Sequence, residues 1–150
     1  MYREILVAFD GSPDSRQALR DAERLAGSGG HLTIASVAPH PTSWIVGGTM
    51  APPYDTTELQ EEIDKSWSGQ LQEAASSTSE ELRERVKTKL LHGPPGPTIV
   101  KEISAGNYDL VVLGSQGHSA VGALLLGSVS LHVIHGSKIP TLIVRAESSA

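Results

Sequence analysis

The chain has 150 residues, enough for one domain with one sizeable core. Hydrophobic residues make up 39% and aromatic ones only 4%, so the core falls to Val, Ile, Leu and Ala, the usual material of a parallel sheet covered by helices. A formal net charge of −5 excludes a basic footprint for nucleic acid or a polybasic segment for an anionic membrane, and zero cysteine excludes disulfides and thiolate metal sites.

The start, Met1-Tyr2-Arg3-Glu4, lacks the basic region and longer apolar stretch of a secretory signal, and no apolar run approaches the ~20 residues of a membrane span. The expectation is a cytoplasmic protein without a membrane partner. Ile5 to Phe9 is a short continuous apolar run, read as a buried strand. Asp10-Gly11 breaks it, and Ser12-Pro13 predicts an N-cap followed by proline at the first helical position. Ala18, Leu19, Ala22, Leu25 and Ala26 continue at helical spacing until Gly27-Ser28-Gly29-Gly30. Leu32 to Val37 predicts the second strand.

Residues 39–56 hold Pro39, Pro41, Pro52, Pro53 and the adjacent Gly47 and Gly48, and predict a mobile loop. Trp44 and Met50 within it would serve as a lid or pack on the sheet edge. Leu59, Ile63, Trp67, Leu71, Ala74, Ala75 and Leu82 predict one long amphipathic helix with a solvated Glu/Gln/Ser rim. Val86 to Leu91, interrupted by Lys87 and Lys89, predicts an edge strand. His92 to Pro97 predicts a stiff turn, and Ile99, Val100 and Ile103 a short helix closed by Gly106-Asn107. Leu110 to Leu113 predicts a fully buried fourth strand. A glycine-rich loop, a last helix from about Gly127, and a fifth strand, Thr141 to Val144, complete the chain. Alternation of strand and helix implies crossover connections, hence a mainly parallel sheet in a three-layer α/β/α sandwich. No repeat or second domain interrupts residues 1–150.

Ligands of open parallel sheets sit beyond the C-terminal strand ends, at the topological switch point. The loops after strands one and four therefore carry the candidate site: Asp10-Gly11-Ser12, and Gly114-Ser115-Gln116-Gly117-His118-Ser119 running on to Gly127-Ser128-Val129-Ser130. Gly114 and Gly117 let backbone approach a ligand without a Cβ in the way. A helix opening at Gly127 offers free N–H groups and its dipole to an anion, and the Ser128 and Ser130 hydroxyls add donors. Asp10 is placed to reach a ribose hydroxyl, or a metal ion through water. Taken singly, a glycine pair is a turn and a serine at a helix start is a cap; together they converge on one phosphate site.

The spacing Gly114-x2-Gly117-x9-Gly127-Ser128 resembles the nucleotide-binding pattern of the universal stress protein family. Val7-Ala8-Phe9-Asp10-Gly11-Ser12, Leu126 to Ser130 and Pro140 to Val144 are also similar to that family, and the likeness spans nearly the whole chain. The resemblance implies a five-stranded parallel sheet of order 3-2-1-4-5, as in adenine nucleotide α-hydrolase-like domains. It implies ATP, with Mg2+, as the ligand. Asp10, with Ala8 and Gly11 beside it, would contact the ribose, and Val37 would pack near the adenine. Gly114, Gly117, Gly127, Ser128 and Ser130, with the intervening loop and Val129, would hold the phosphates. Ser119 stands where a glycine is frequent, and Leu131-His132 where charged residues are common.

Other readings are weaker. A Walker-type loop needs a lysine after the glycine, and Gly127 is followed by Ser128-Val129, which leaves at most a weak ATPase. A phospho-receiver needs an aspartate at the end of strand three, where His92 stands. A G-x-S-x-G hydrolase elbow is absent. His132 and His135, three apart, lack a third ligand. The expected function is a regulatory, ATP-binding stress-response domain; the alternative is a dimeric interaction module with a vestigial site. The apolar strand 141–144, terminal in the sheet, would pair with a second copy unless the C-terminal tail covers it.

Overall fold

Two strands side by side in the sheet each bury a continuous apolar run. β1 (Glu4–Ala8) buries Ile5, Leu6 and Val7 completely, and β4 (Leu110–Gly114) buries Leu110 through Leu113. Such burial is worth roughly 1.5–3 kcal/mol per large side chain. The computed structural model describes residues 2–41, 56–116 and 126–146. In it β1 lies between β2 (His31–Ala38) and β4, with Val7 opposite Ile34 on one side and Val112 on the other. β3 (Val86–His92) and β5 (Thr141–Val144) form the margins, giving an all-parallel sheet of order β3-β2-β1-β4-β5.

Strand alternation sorts the core into two layers. Ile5, Val7 and Phe9 meet Ala18, Leu19 and Ala22 of α1 (Pro13–Ala26) and Leu71 and Ala74 of α2 (Thr57–Ser76). Leu6, Val111 and Leu113 meet Ile99 and Ile103 of α4 (Pro95–Ala105) and Val133 of α5 (Ser128–Gly136). The strand order turns back between β1 and β4, so the chain leaves β1 toward α1 on one face and β4 toward α5 on the other, the position at which open parallel sheets hold ligands.

Three elements differ from the sequence expectation. The long helix stops at Ser76, and Glu80–Arg83 forms a separate turn, α3. The Ser77 and Thr78 hydroxyls donate to the carbonyls of Ala74 and Ala75, both at 2.6 Å, so side chains compete with the next helical turn. α4 already begins at Pro95, inside the segment read as a turn, because proline fits a first helical turn whose N–H groups have no intrahelical partner. β2 reaches Ala38, and Pro41, at the start of the expected mobile loop, is fully buried. Residues 42–55 of that loop, with Trp44 and Met50, lie outside the described residues. β3 keeps its marginal position, with Lys87 and Lys89 exposed on the α4 face.

Candidate functional site

The loop leaving β1 is held by its own side chains. The Phe9 N–H donates to the Ala35 carbonyl (2.8 Å), and the Ser36 hydroxyl donates to the Phe9 carbonyl (2.6 Å). The chain then turns: Oδ1 of Asp10 accepts the Ser12 N–H at 2.9 Å, and Gly11 adopts φ +81°, a left-handed conformation that disfavours any residue with a Cβ. Ser12 caps α1, its hydroxyl oxygen accepting the Ser15 N–H at 3.2 Å. The start of α1 is therefore closed by protein groups.

The start of α5 is capped differently. Its N-cap is Gly127, which has no side chain to offer, so among the described residues no side chain caps the first N–H groups, from Ser128 onward. The same helix start is docked on the end of β4. The Gly127 N–H donates to the Ser115 carbonyl (2.7 Å), and the buried Ser130 hydroxyl donates to the Gly114 carbonyl (2.8 Å). The Ser130 hydroxyl proton is thus engaged with the backbone, whereas Ser128 is exposed. Ala8 and Val37 belong to interior strands yet are only half-buried; both lie on the α4/α5 face, at the margin of that core layer. Ala8, Asp10, Gly11, Gly114, Ser115, Gln116, Gly127, Ser128, Val129 and Ser130 lie at the C-terminal ends of β1 and β4 and at the α5 start docked there. Val37 joins from β2. Gly117, His118 and Ser119 lie outside the described residues.

Gly114 has a packing reason besides any ligand. A Cβ at that position would stand 2.6 Å from the Asp14 Cβ and 2.9 Å from the Asp14 carbonyl carbon. α1 therefore approaches the end of β4 over that glycine. Asp14 then accepts from the Ser115 hydroxyl (2.7 Å) and the Gln116 N–H (3.3 Å) on one oxygen, and from the Ala146 N–H (2.8 Å) on the other. Burial alone would raise its pKa. The three hydrogen bonds and the nearby charge of Arg145 outweigh that and hold the carboxyl below its ordinary value. Sequence reasoning missed both residues. Asp14 reads only as an acid in a first helical turn, and Arg145 only as the residue after a strand.

Among the described residues no group of three or more His, Asp or Glu could hold a metal ion, and no helix is long and apolar enough to cross a membrane. The groove between α1 and α2, lined by Phe9, Arg16, Glu23 and Glu73, lies on the opposite face of the sheet from α5.

The family model described as the universal stress protein family matches residues 1–145. The chain belongs to this family. Among universal stress proteins, YxiE of Bacillus subtilis is 33% identical over 149 residues, covering 97% of this chain and all of the relative. One from Thermus aquaticus is 29% identical over 145 residues, covering 97% of this chain and all of that one. Of solved structures, the hypothetical protein MJ0577 superimposes with a TM-score of 0.81 at 24% identity, over 99% of both chains, a likeness of fold. A universal stress protein solved in complex with cAMP has a TM-score of 0.67 at 26% identity, over 97% of this chain and 99% of that one.

Proposed function

We propose that this universal stress protein, one domain over residues 1–150, binds ATP at the C-terminal ends of β1 and β4 as a regulatory ligand in the cytoplasm. The observation that carries the reading is the start of α5, which no side chain among the described residues caps, docked against the end of β4, beside the Asp10 turn. First-turn N–H groups and the helix dipole there favour an anion. Phosphates would lie over Gly127, Ser128 and Val129 and against the loop from Gly114 through Gly117, His118 and Ser119. The ribose would meet Asp10, and the base would rest on the half-buried faces of Ala8 and Val37. The family membership and the cAMP complex of a relative support an adenine nucleotide. Mg2+ commonly takes one carboxylate together with ligand phosphates, so Asp10 acting through water fits an ion that arrives with the nucleotide.

The chemistry favours binding over turnover. Among the described residues no lysine stands at the α5 start to neutralise a transferring phosphoryl group. Occupancy would stabilise the folded state by mass action. A second reading, a dimeric interaction module with a vestigial nucleotide site, draws on the exposed Leu131 and Ile134 of α5, beside the marginal strand β5.

Calorimetric titration of nucleotide-stripped protein with ATP and magnesium, and separately with cAMP, tests the first reading. Saturable ATP binding that a folded Gly117→Asp variant loses supports it. A folded, stripped wild type that takes up neither nucleotide overturns it in favour of the interaction module; preference for cAMP alone replaces ATP as the ligand.

A further inference from the structure

Asp14 joins parts of the chain that are far apart in sequence. Its partners Ser115 and Gln116 stand 101 and 102 residues away, and Ala146 stands 132 residues away. All three partners lie just beyond strand ends: Ser115, through its hydroxyl, and Gln116, through its N–H, after β4, and Ala146, through its N–H, after β5. The two strand ends are also joined directly, the Ser115 N–H donating to the Val144 carbonyl at 2.8 Å. Charge-assisted bonds of this kind are short and strong, and this carboxylate uses one oxygen for each strand end.

We propose that Asp14 is a positioning residue that couples a ligand held at the start of α5 to the position of Ala146 beyond β5. The inference rests on the nucleotide reading of that helix start. The buried Ser115 accepts the Gly127 N–H on its carbonyl and donates its hydroxyl to Oδ2 of Asp14, so a ligand that restrains Gly127 restrains the Oδ2 side of the carboxylate, and the Oδ1 side carries the restraint to Ala146. Coupling of this kind is reciprocal: whatever restrains Ala146 also favours the ligand-competent helix start. Gly114 permits the arrangement, because its missing Cβ leaves the space that Asp14 occupies. The capped start of α1 anchors Asp14 itself.

Hydrogen exchange of the Gln116 and Ala146 amides, read by NMR with and without ATP and magnesium, tests the coupling. Asp14→Asn keeps the size of the side chain but offers an acceptor to one strand end only. We expect ATP to slow exchange at Ala146 in the wild type. In folded Asp14→Asn that slowing should disappear and the affinity for ATP fall about tenfold, the size of one lost charge-assisted bond. Wild-type affinity and wild-type slowing in the folded variant would overturn the proposal. If Asp14→Asn does not fold, Ser115→Ala, which removes one donor, should weaken ATP binding and reduce the slowing at Ala146; no change in either is the same refutation. A wild type that binds no ATP sinks the nucleotide reading instead. Asp14 is then judged on exchange alone: faster exchange at both amides in Asp14→Asn supports the clamp, and unchanged exchange removes it.

Discussion

A methyl group at position 114 would have nowhere to go. The atoms it would meet, Cβ and the carbonyl carbon of Asp14, belong to the first turn of a packed helix and cannot swing aside. Gly114→Ala should therefore destabilise the fold by about 1–3 kcal/mol, the usual cost of overpacking, as read by urea unfolding. It should also weaken ATP binding in the titration above, because the displaced helix start carries Asp14. From the sequence, Gly114 reads as room for a ligand, and the turn and helix-start residues around it are legible from their types. The occupant of that room was not legible, because Asp14 meets its partners more than a hundred residues along the chain and no local pattern marks it.

Secondary elements with one dominant signal were readable, and those with two competing signals were not. The central strands are continuous apolar runs, and the α1 cap is a Ser-Pro pair; the structure has both. The break between α2 and α3 was hidden because Leu71, Ala74 and Leu82 keep helical spacing across it while the Ser77 and Thr78 hydroxyls end the helix locally. Prolines concealed the start of α4. That helix is tied to the sheet by one carboxylate: Oε1 of Glu102 accepts both the Tyr108 hydroxyl and the Lys89 ammonium of β3, each at 2.7 Å. Burial would raise the pKa of Glu102, but the bonds from Lys89 and Tyr108 outweigh it and the net shift is downward. A lowered folded-state value means that this contribution is present above the ordinary glutamate pKa of about 4.3 and is lost as the pH falls through the folded-state value. Tyr108→Phe should cost about 1 kcal/mol near pH 7, and the gap from wild type should narrow in acid unfolding measured below about pH 4. A gap that stays constant across that range would mean that the hydroxyl acts independently of Glu102 ionisation.

At the scale of the molecule, the order of the strands decides which surfaces are left over. β5 is marginal and largely apolar, with Leu142 and Ile143 half-buried, and Leu131 and Ile134 on α5 are 45% and 42% exposed. A second copy paired through this side would cover both the strand margin and the helix. Ile134→Glu, on an already exposed side chain, should leave the melting temperature of the folded chain nearly unchanged and convert a dimer to a monomer in sedimentation velocity. A wild type that sediments as a monomer at tens of micromolar would reject that pairing. The opposite margin is different in kind: β3 carries the exposed Lys87, a charge that disfavours pairing with an identical strand, and Lys89, whose ammonium is held by Glu102. Two copies joined at β5 would turn their β3 margins outward, each guarded by Lys87, and growth would stop at two. A sheet with one pairing border and one guarded border would build a particle of fixed size, where a sheet with two pairing borders would build a fibre.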